Sequence, residues 1–237
     1  MAFNHTRRRP GRPRPVGRRP QPAADRDDLN VAAIRARLAL ERVSARAQGG
    51  AGPGGNSRLT AMTAVVLLVL LAIEGVTLLS LHALLPLHVF VGMLLLPPVA
   101  LKLASTGYRF VRYYAGARAY RLAGPPRALM RALGPFVIAA TLALFGTGVA
   151  MLALGPDARW LVGLHTASFV VWLVVTAIHV LGHLLHLPGL AGADLGSPGA
   201  GNGARLRTGA VAATVVVGFV LAVATVQYAA PWQALID

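Results

Sequence analysis

The sequence predicts an all-α fold: a multi-pass transmembrane helical bundle of five spans, with the N-terminus inside and the C-terminus outside. Three observations lead there. The 237-residue chain is 55% hydrophobic, with a mean hydropathy of +0.60, yet it carries a formal net charge of +15. Thirteen of its 23 basic residues fall within the first 58 positions. The remainder holds five apolar segments, each near the roughly 20 residues that cross a bilayer. The chain has no cysteine, which removes disulfides, iron–sulfur clusters and thiolate metal sites.

Residues 1–58 read as a basic disordered tail containing a short amphipathic helix. Positions 1–28 are rich in Arg, Pro and Gly and have too little apolar surface to fold. Their expected partner is anionic lipid rather than nucleic acid. Over 29–47, Ile34, Leu38 and Val43 alternate with Arg35, Arg37, Arg42 and Arg46, a pattern suited to a helix on a membrane surface. The run GGAGPGGNS at 49–57 predicts a flexible hinge. No small-residue cleavage pattern follows the first apolar run, so that span is expected to stay as an anchor.

The transmembrane domain occupies 59–230, with spans at about 60–82, 85–106, 133–154, 160–186 and 208–230. Residues 231–237 form an outer tail. The loop after the second span carries Arg109, Arg112, Arg118, Arg121, Arg127 and Arg131, and the loop after the fourth carries Arg205 and Arg207. Between the third and fourth spans there is only Arg159, beside Asp157. Positive residues stay cytoplasmic, which fixes the predicted orientation. Trp160, Tyr228 and Trp232 then form an outer aromatic belt, and Tyr108, Tyr113 and Tyr114 an inner one. Pro97-Pro98 predicts a kink in the second span, and Gly107 a helix C-cap.

Within this frame the histidines are informative. His88 opens the second span and is followed fourteen residues later by Lys102; His165 opens the fourth and is followed fourteen residues later by His179. Fourteen helical steps return to within about 40° of the starting face, roughly 21 Å along the axis. The second and fourth spans run in the same direction. His88 and His165 therefore share one depth, near the outer face, and Lys102 and His179 share another, near the inner face. Two such helices facing one another can hold a haem at each level.

A His-x13-His pair on each of two parallel membrane helices is the pattern of di-haem b-type cytochromes, and the chain resembles the cytochrome b and b561-like electron carriers over roughly residues 60–187. The resemblance implies that His88 and His165 are axial ligands of an outer haem b, and that His179 is one ligand of an inner haem. Lys102 departs from that pattern. Only a neutral amine can coordinate iron, and a lysine this close to the boundary can instead snorkel to the headgroups, so one haem is expected, with a second as an open alternative.

Gly92 lies one turn from His88 on the same face, where a missing side chain would admit a flat macrocycle. Gly146 and Gly148 suit the same purpose or ordinary helix packing. Glu74 lies well inside the first span, where a carboxylate is costly and so a functional candidate. His82 sits at the outer interface. His179 and His183 form an i, i+4 pair, with His186 three residues on, and His183 competes as an inner ligand. Arg109 and Arg112 can pair with haem propionates or with lipid phosphates.

The sequence thus reads as an electron-transfer subunit of an oxidoreductase in a bacterial-type inner (plasma) membrane, with a partner redox protein or a quinone, rather than a stand-alone enzyme. It contains no dinucleotide-binding motif. A proton-coupled or small-solute transporter and a cofactor-free scaffold are the alternatives.

Overall fold

The computed structural model describes residues 31–38, 52–124, 128–184 and 202–235, and the chain divides into two units, within residues 1–44 and 45–237. In the first unit, residues 31–38 form a helix, α1, with Ile34 and Leu38 exposed. The basic positions 1–30, Arg127, the His183 side chain and His186 lie outside the described residues.

The second unit is helical throughout its described regular structure. Its main helices are α2 (Pro53–Thr77), α3 (Leu81–Tyr114), α4 (Arg118–Leu122), α5 (Ala128–Leu154), α6 (Trp160–Leu184), α7 (Asn202–Thr225) and α8 (Ala230–Gln233). Four helical stretches are long and apolar enough to cross a membrane: Pro53–Tyr114, Arg131–Leu154, Trp160–Gly182 and Gly203–Gln233. Their outward faces carry large exposed apolar side chains such as Leu68, Phe136, Val171 and Val220, as a lipid-facing surface requires.

The first of these stretches turns back on itself through a short 3₁₀ segment at Leu78–Ser80. At one end of the α2–α3 hairpin Asn56 Nδ2 donates to the Ser105 carbonyl at 3.0 Å and Thr60 Oγ1 donates to Ser105 Oγ at 3.1 Å. At the other end Glu74 and Thr77 meet His88. The two helices are therefore antiparallel. The expected hinge at 49–57 is not seen in its described part: α2 begins at Pro53, whose fixed φ suits the first helical position, and Gly54-Gly55 are already helical. Buried Gly55 and the Asn56–Ser105 bond show why, since tertiary packing outweighs local glycine flexibility.

α3 continues through Pro97-Pro98. Proline nitrogens cannot donate, so the carbonyls of Met93 and Leu94 lose their i+4 partners. α7 covers the second of these: a Cβ built on Gly218 would stand 2.4 Å from the Leu94 oxygen, so the hydrogen in its place faces that oxygen. Phe90 and Phe219 meet edge to face at 5.7 Å in the same interface. Leu67, Val91 and Leu95 form the buried core beside them, with Phe145 of α5 packed against it.

Gly107 does not end α3. The helix runs on to Tyr114, and Gly116, at φ +85°, closes it: Gly116 N–H donates to the Tyr113 carbonyl and Ala117 N–H to the Arg112 carbonyl. These two bonds are the Schellman pattern, which needs a left-handed residue after the cap. Gly107 supplies no such conformation and stays inside the helix.

α5 and α6 form a second hairpin. Trp172 Nε1 donates to Thr141 Oγ1 at 3.1 Å and Thr147 meets His165 at 3.0 Å, so these helices are also antiparallel. Along α5, Phe145 lies beside Val91 and Leu95, while Met151 accepts from Trp232, whose neighbour Gln233 donates to the His82 carbonyl. α5 thus runs against α3, and α3 and α6 run in the same direction. Trp160 and Tyr228 are exposed, as an aromatic belt requires, but Trp232 is not. After the 3₁₀ turn Val226–Ala229 the chain folds back, and the Trp232 indole is buried against the bundle.

Candidate functional site

The two hairpins leave a cavity of about 400 Å³ where α3 and α6 approach each other. Its walls are mostly apolar, with Leu71, Val89, Phe145, Val149, Phe169 and Trp172 among them. The volume falls in the range of small-molecule and cofactor sites, roughly 300–1,000 Å³. Among the described residues, Glu74, His88 and His165 are the only ionisable side chains that line it, and Trp232 lines it where α8 is bound.

His88 and His165 face each other here. Their ring centres are 6.4 Å apart and their planes are inclined at 81°. Each ring is fixed from behind through Nδ1. His88 Nδ1 lies 2.8 Å from Glu74 Oε1 and 3.1 Å from Thr77 Oγ1. His165 Nδ1 lies 3.0 Å from Thr147 Oγ1.

Both hydroxyls are also bonded to carbonyls of their own helices. Thr77 Oγ1 donates to the Glu74 carbonyl at 2.6 Å, so toward His88 it can only accept. Thr147 Oγ1 is within 2.8 Å of the Ala143 carbonyl and 2.9 Å of that of Leu144, and its proton is likewise spent on its own helix. This arrangement suits imidazoles that carry a proton on Nδ1. A neutral ring in that tautomer keeps its lone pair on Nε2, the form in which histidine binds a metal.

Glycine clears the space around the rings. A Cβ on Gly148 would sit 3.2 Å from His165 Cε1, and one on Gly92 would meet Glu74 Oε1 at 3.6 Å. Both glycines line the cavity, whereas Gly146 neither lines it nor has a neighbour that a Cβ would touch. Gly148→Ala is therefore expected to displace the His165 ring by a few tenths of an ångström and to weaken ligand binding, about 10- to 100-fold if ring orientation matters as it does in metal sites. Gly146→Ala should change binding little. Titrating the two purified variants with the ligand checks this.

The structure brings His88, His165, Gly92 and Glu74 together, and Lys102 and His179 lie outside the cavity. Lys102 turns its ammonium into the α2–α3 hairpin, where Nζ donates to the Thr60 carbonyl at 2.8 Å. At that same end Arg109 Nη1 reaches Ser57 Oγ at 3.4 Å, and the Arg112 guanidinium lies over the Tyr108 and Tyr120 rings at 6.0 and 5.9 Å.

Sequence reasoning missed three participants. Thr77 and Thr147 carried no signal of their own, because a threonine in a span is common and its partner is on another helix. Trp232 was assigned to the surface belt on composition alone. No family model, curated protein or solved structure matches the chain.

Proposed function

We propose that this protein is a b-type cytochrome of a bacterial-type inner membrane, crossing it five times and carrying single electrons through one haem held between His88 and His165. What carries the reading is the pair of Nδ1-anchored imidazoles lining one apolar cavity, with ring centres 6.4 Å apart. A metal bound between two imidazole nitrogens at about 2.0–2.1 Å each, with each nitrogen roughly 1.1 Å from its ring centre, would put the centres about 6.3 Å apart. The observed 6.4 Å fits.

The donor set favours haem over a bare metal ion. Among the described residues no three His, Cys, Asp or Glu side chains converge as a divalent metal would need. Two imidazoles do suffice for an iron whose other four positions a porphyrin fills. When bound, that group supplies reversible one-electron chemistry. The chain's own residues do the rest: Glu74, Thr77 and Thr147 hold the imidazoles, Gly92 and Gly148 leave room beside them, and Phe145, Phe169, Trp172 and Trp232 keep water out.

The α2–α3 hairpin counts as two crossings, with α5, α6 and α7 as the others. By the positive-inside rule the arginine-rich segment at 109–131 would be cytoplasmic and the histidine end outside. Such a protein would serve a partner redox protein or exchange electrons with a quinone. One haem is the count supported here, because the Lys102 amine is engaged by the Thr60 carbonyl. The test is optical: full-length protein purified from haem-replete cells should show a Soret band and, once reduced, a sharp α-band. A colourless preparation would refute the proposal.

A further inference from the structure

The two imidazoles are held unequally, and the difference is one of charge. His165 is anchored by the Thr147 hydroxyl, 3.0 Å from Nδ1, and by a backbone hydrogen bond to Leu144, with no carboxylate among its described partners. His88 Nδ1 meets the Thr77 hydroxyl and, closer in, Glu74 Oε1 at 2.8 Å. Thr77 alone would fix the His88 tautomer, as Thr147 does for His165. The carboxylate is therefore surplus to orientation, and its cost within an apolar span calls for another role.

No second described group competes with His88 for this carboxyl. Among the described residues, Glu74 Oε2 is buried without a hydrogen-bond partner, and no lysine or arginine lines the cavity. His88 is the group through which this charge is expressed. A carboxylate accepting from Nδ1–H pushes electron density through the ring to Nε2, which makes the imidazole a more basic ligand. A more basic ligand and a nearby negative charge both favour the more positive, oxidised metal.

We infer that Glu74, acting through His88, is a positioning residue that sets the reduction potential of the bound haem by stabilising its ferric over its ferrous state. The inference rests on the haem reading above and deepens it. A single charge in a medium of effective dielectric about 20 shifts equilibria by tenfold or more at short range. Neutralising Glu74 should therefore lower the ratio of ferric to ferrous haem affinity about tenfold, a rise in one-electron potential of about 59 mV.

The experiment is a spectropotentiometric titration of the full-length haem-loaded protein at fixed pH, with Glu74→Gln, Glu74→Asp and Thr77→Val. Gln keeps an acceptor for His88 and removes only the charge, so its optical spectrum should match that of the parent while its potential rises. Asp should stay near the parent value, and Val should move the potential less than Gln. If a neutral variant holds haem too loosely to purify loaded, titrating it separately with ferric and ferrous haem reads the same ratio. A Gln variant with parental potential, or Asp and Gln shifting alike, overturns the role of Glu74. Parental protein without haem overturns the cytochrome reading instead, so the two failures are distinct.

Discussion

Replacing His88 or His165 with alanine is expected to abolish six-coordinate haem binding, the largest effect of any single substitution in this chain. Each removes one of the two imidazoles that meet in the cavity. The remaining wall is apolar, and among the described residues lining the cavity no further histidine can replace the lost ligand. What haem remains should be five-coordinate, with a broadened, shifted Soret band and no sharp α-band on reduction. Thr147→Val should be milder, because it keeps the ligand and frees only its orientation, at about 10- to 100-fold in affinity. Optical spectra of the purified variants decide the matter: full parental spectra in both alanine variants would exclude these residues as ligands.

Gly218→Ala is expected to have the largest effect on stability. The added Cβ would meet the Leu94 carbonyl oxygen at 2.4 Å and its carbon at 3.2 Å, both backbone atoms that cannot rotate away. α7 must then retreat from α3, which weakens the Phe90–Phe219 contact and exposes the Leu94 carbonyl that Pro98 leaves without an amide donor. Overpacking of this kind costs about 1–3 kcal/mol. Because α7 leads into the segment carrying Trp232, the cavity should loosen as well. Gly209→Ala, whose Cβ would meet nothing within 4 Å, is the matched control. Thermal unfolding in detergent should show a lowered midpoint for Gly218→Ala alone; equal midpoints for both would contradict the packing described.

What could be read from the sequence follows from the range of the forces involved. Apolar segments report their solvent directly, so the helices at 133–154 and 160–186 were placed within a few residues of α5 and α6. A common depth for His88 and His165 was legible, because loop charges give neighbouring spans opposite directions and helical geometry gives a depth; that the two helices meet was not. Helix ends were harder. Gly107 and Gly116 are equally suited by composition to end α3, and only the bonds from Gly116 and Ala117 back to Tyr113 and Arg112 distinguish them. The start of α2 at Pro53 depends on Asn56 reaching Ser105, a contact 49 residues away in the chain.

The same limit applies at the site. The partners of the two Nδ1 atoms come from α2 and α5, helices that sequence periodicity cannot rotate into place. Thr147 lies between Gly146 and Gly148, where the sequence draws attention to the glycines alone. Lys102 was expected either to ligate iron or to snorkel, and its bond to Thr60 of the neighbouring helix is a third arrangement, available only once the hairpin has formed. Trp232 belongs to a segment whose 3₁₀ turn carries it back over the bundle, which its interfacial composition did not reveal.

The most direct test is electron paramagnetic resonance of the oxidised, purified protein. Two neutral imidazoles ligating one iron with their planes inclined at 81° predict a low-spin ferric signal of the strongly anisotropic kind that near-perpendicular rings produce. A high-spin signal from fresh, intact protein, or iron-free protein from haem-replete cells, would contradict the account.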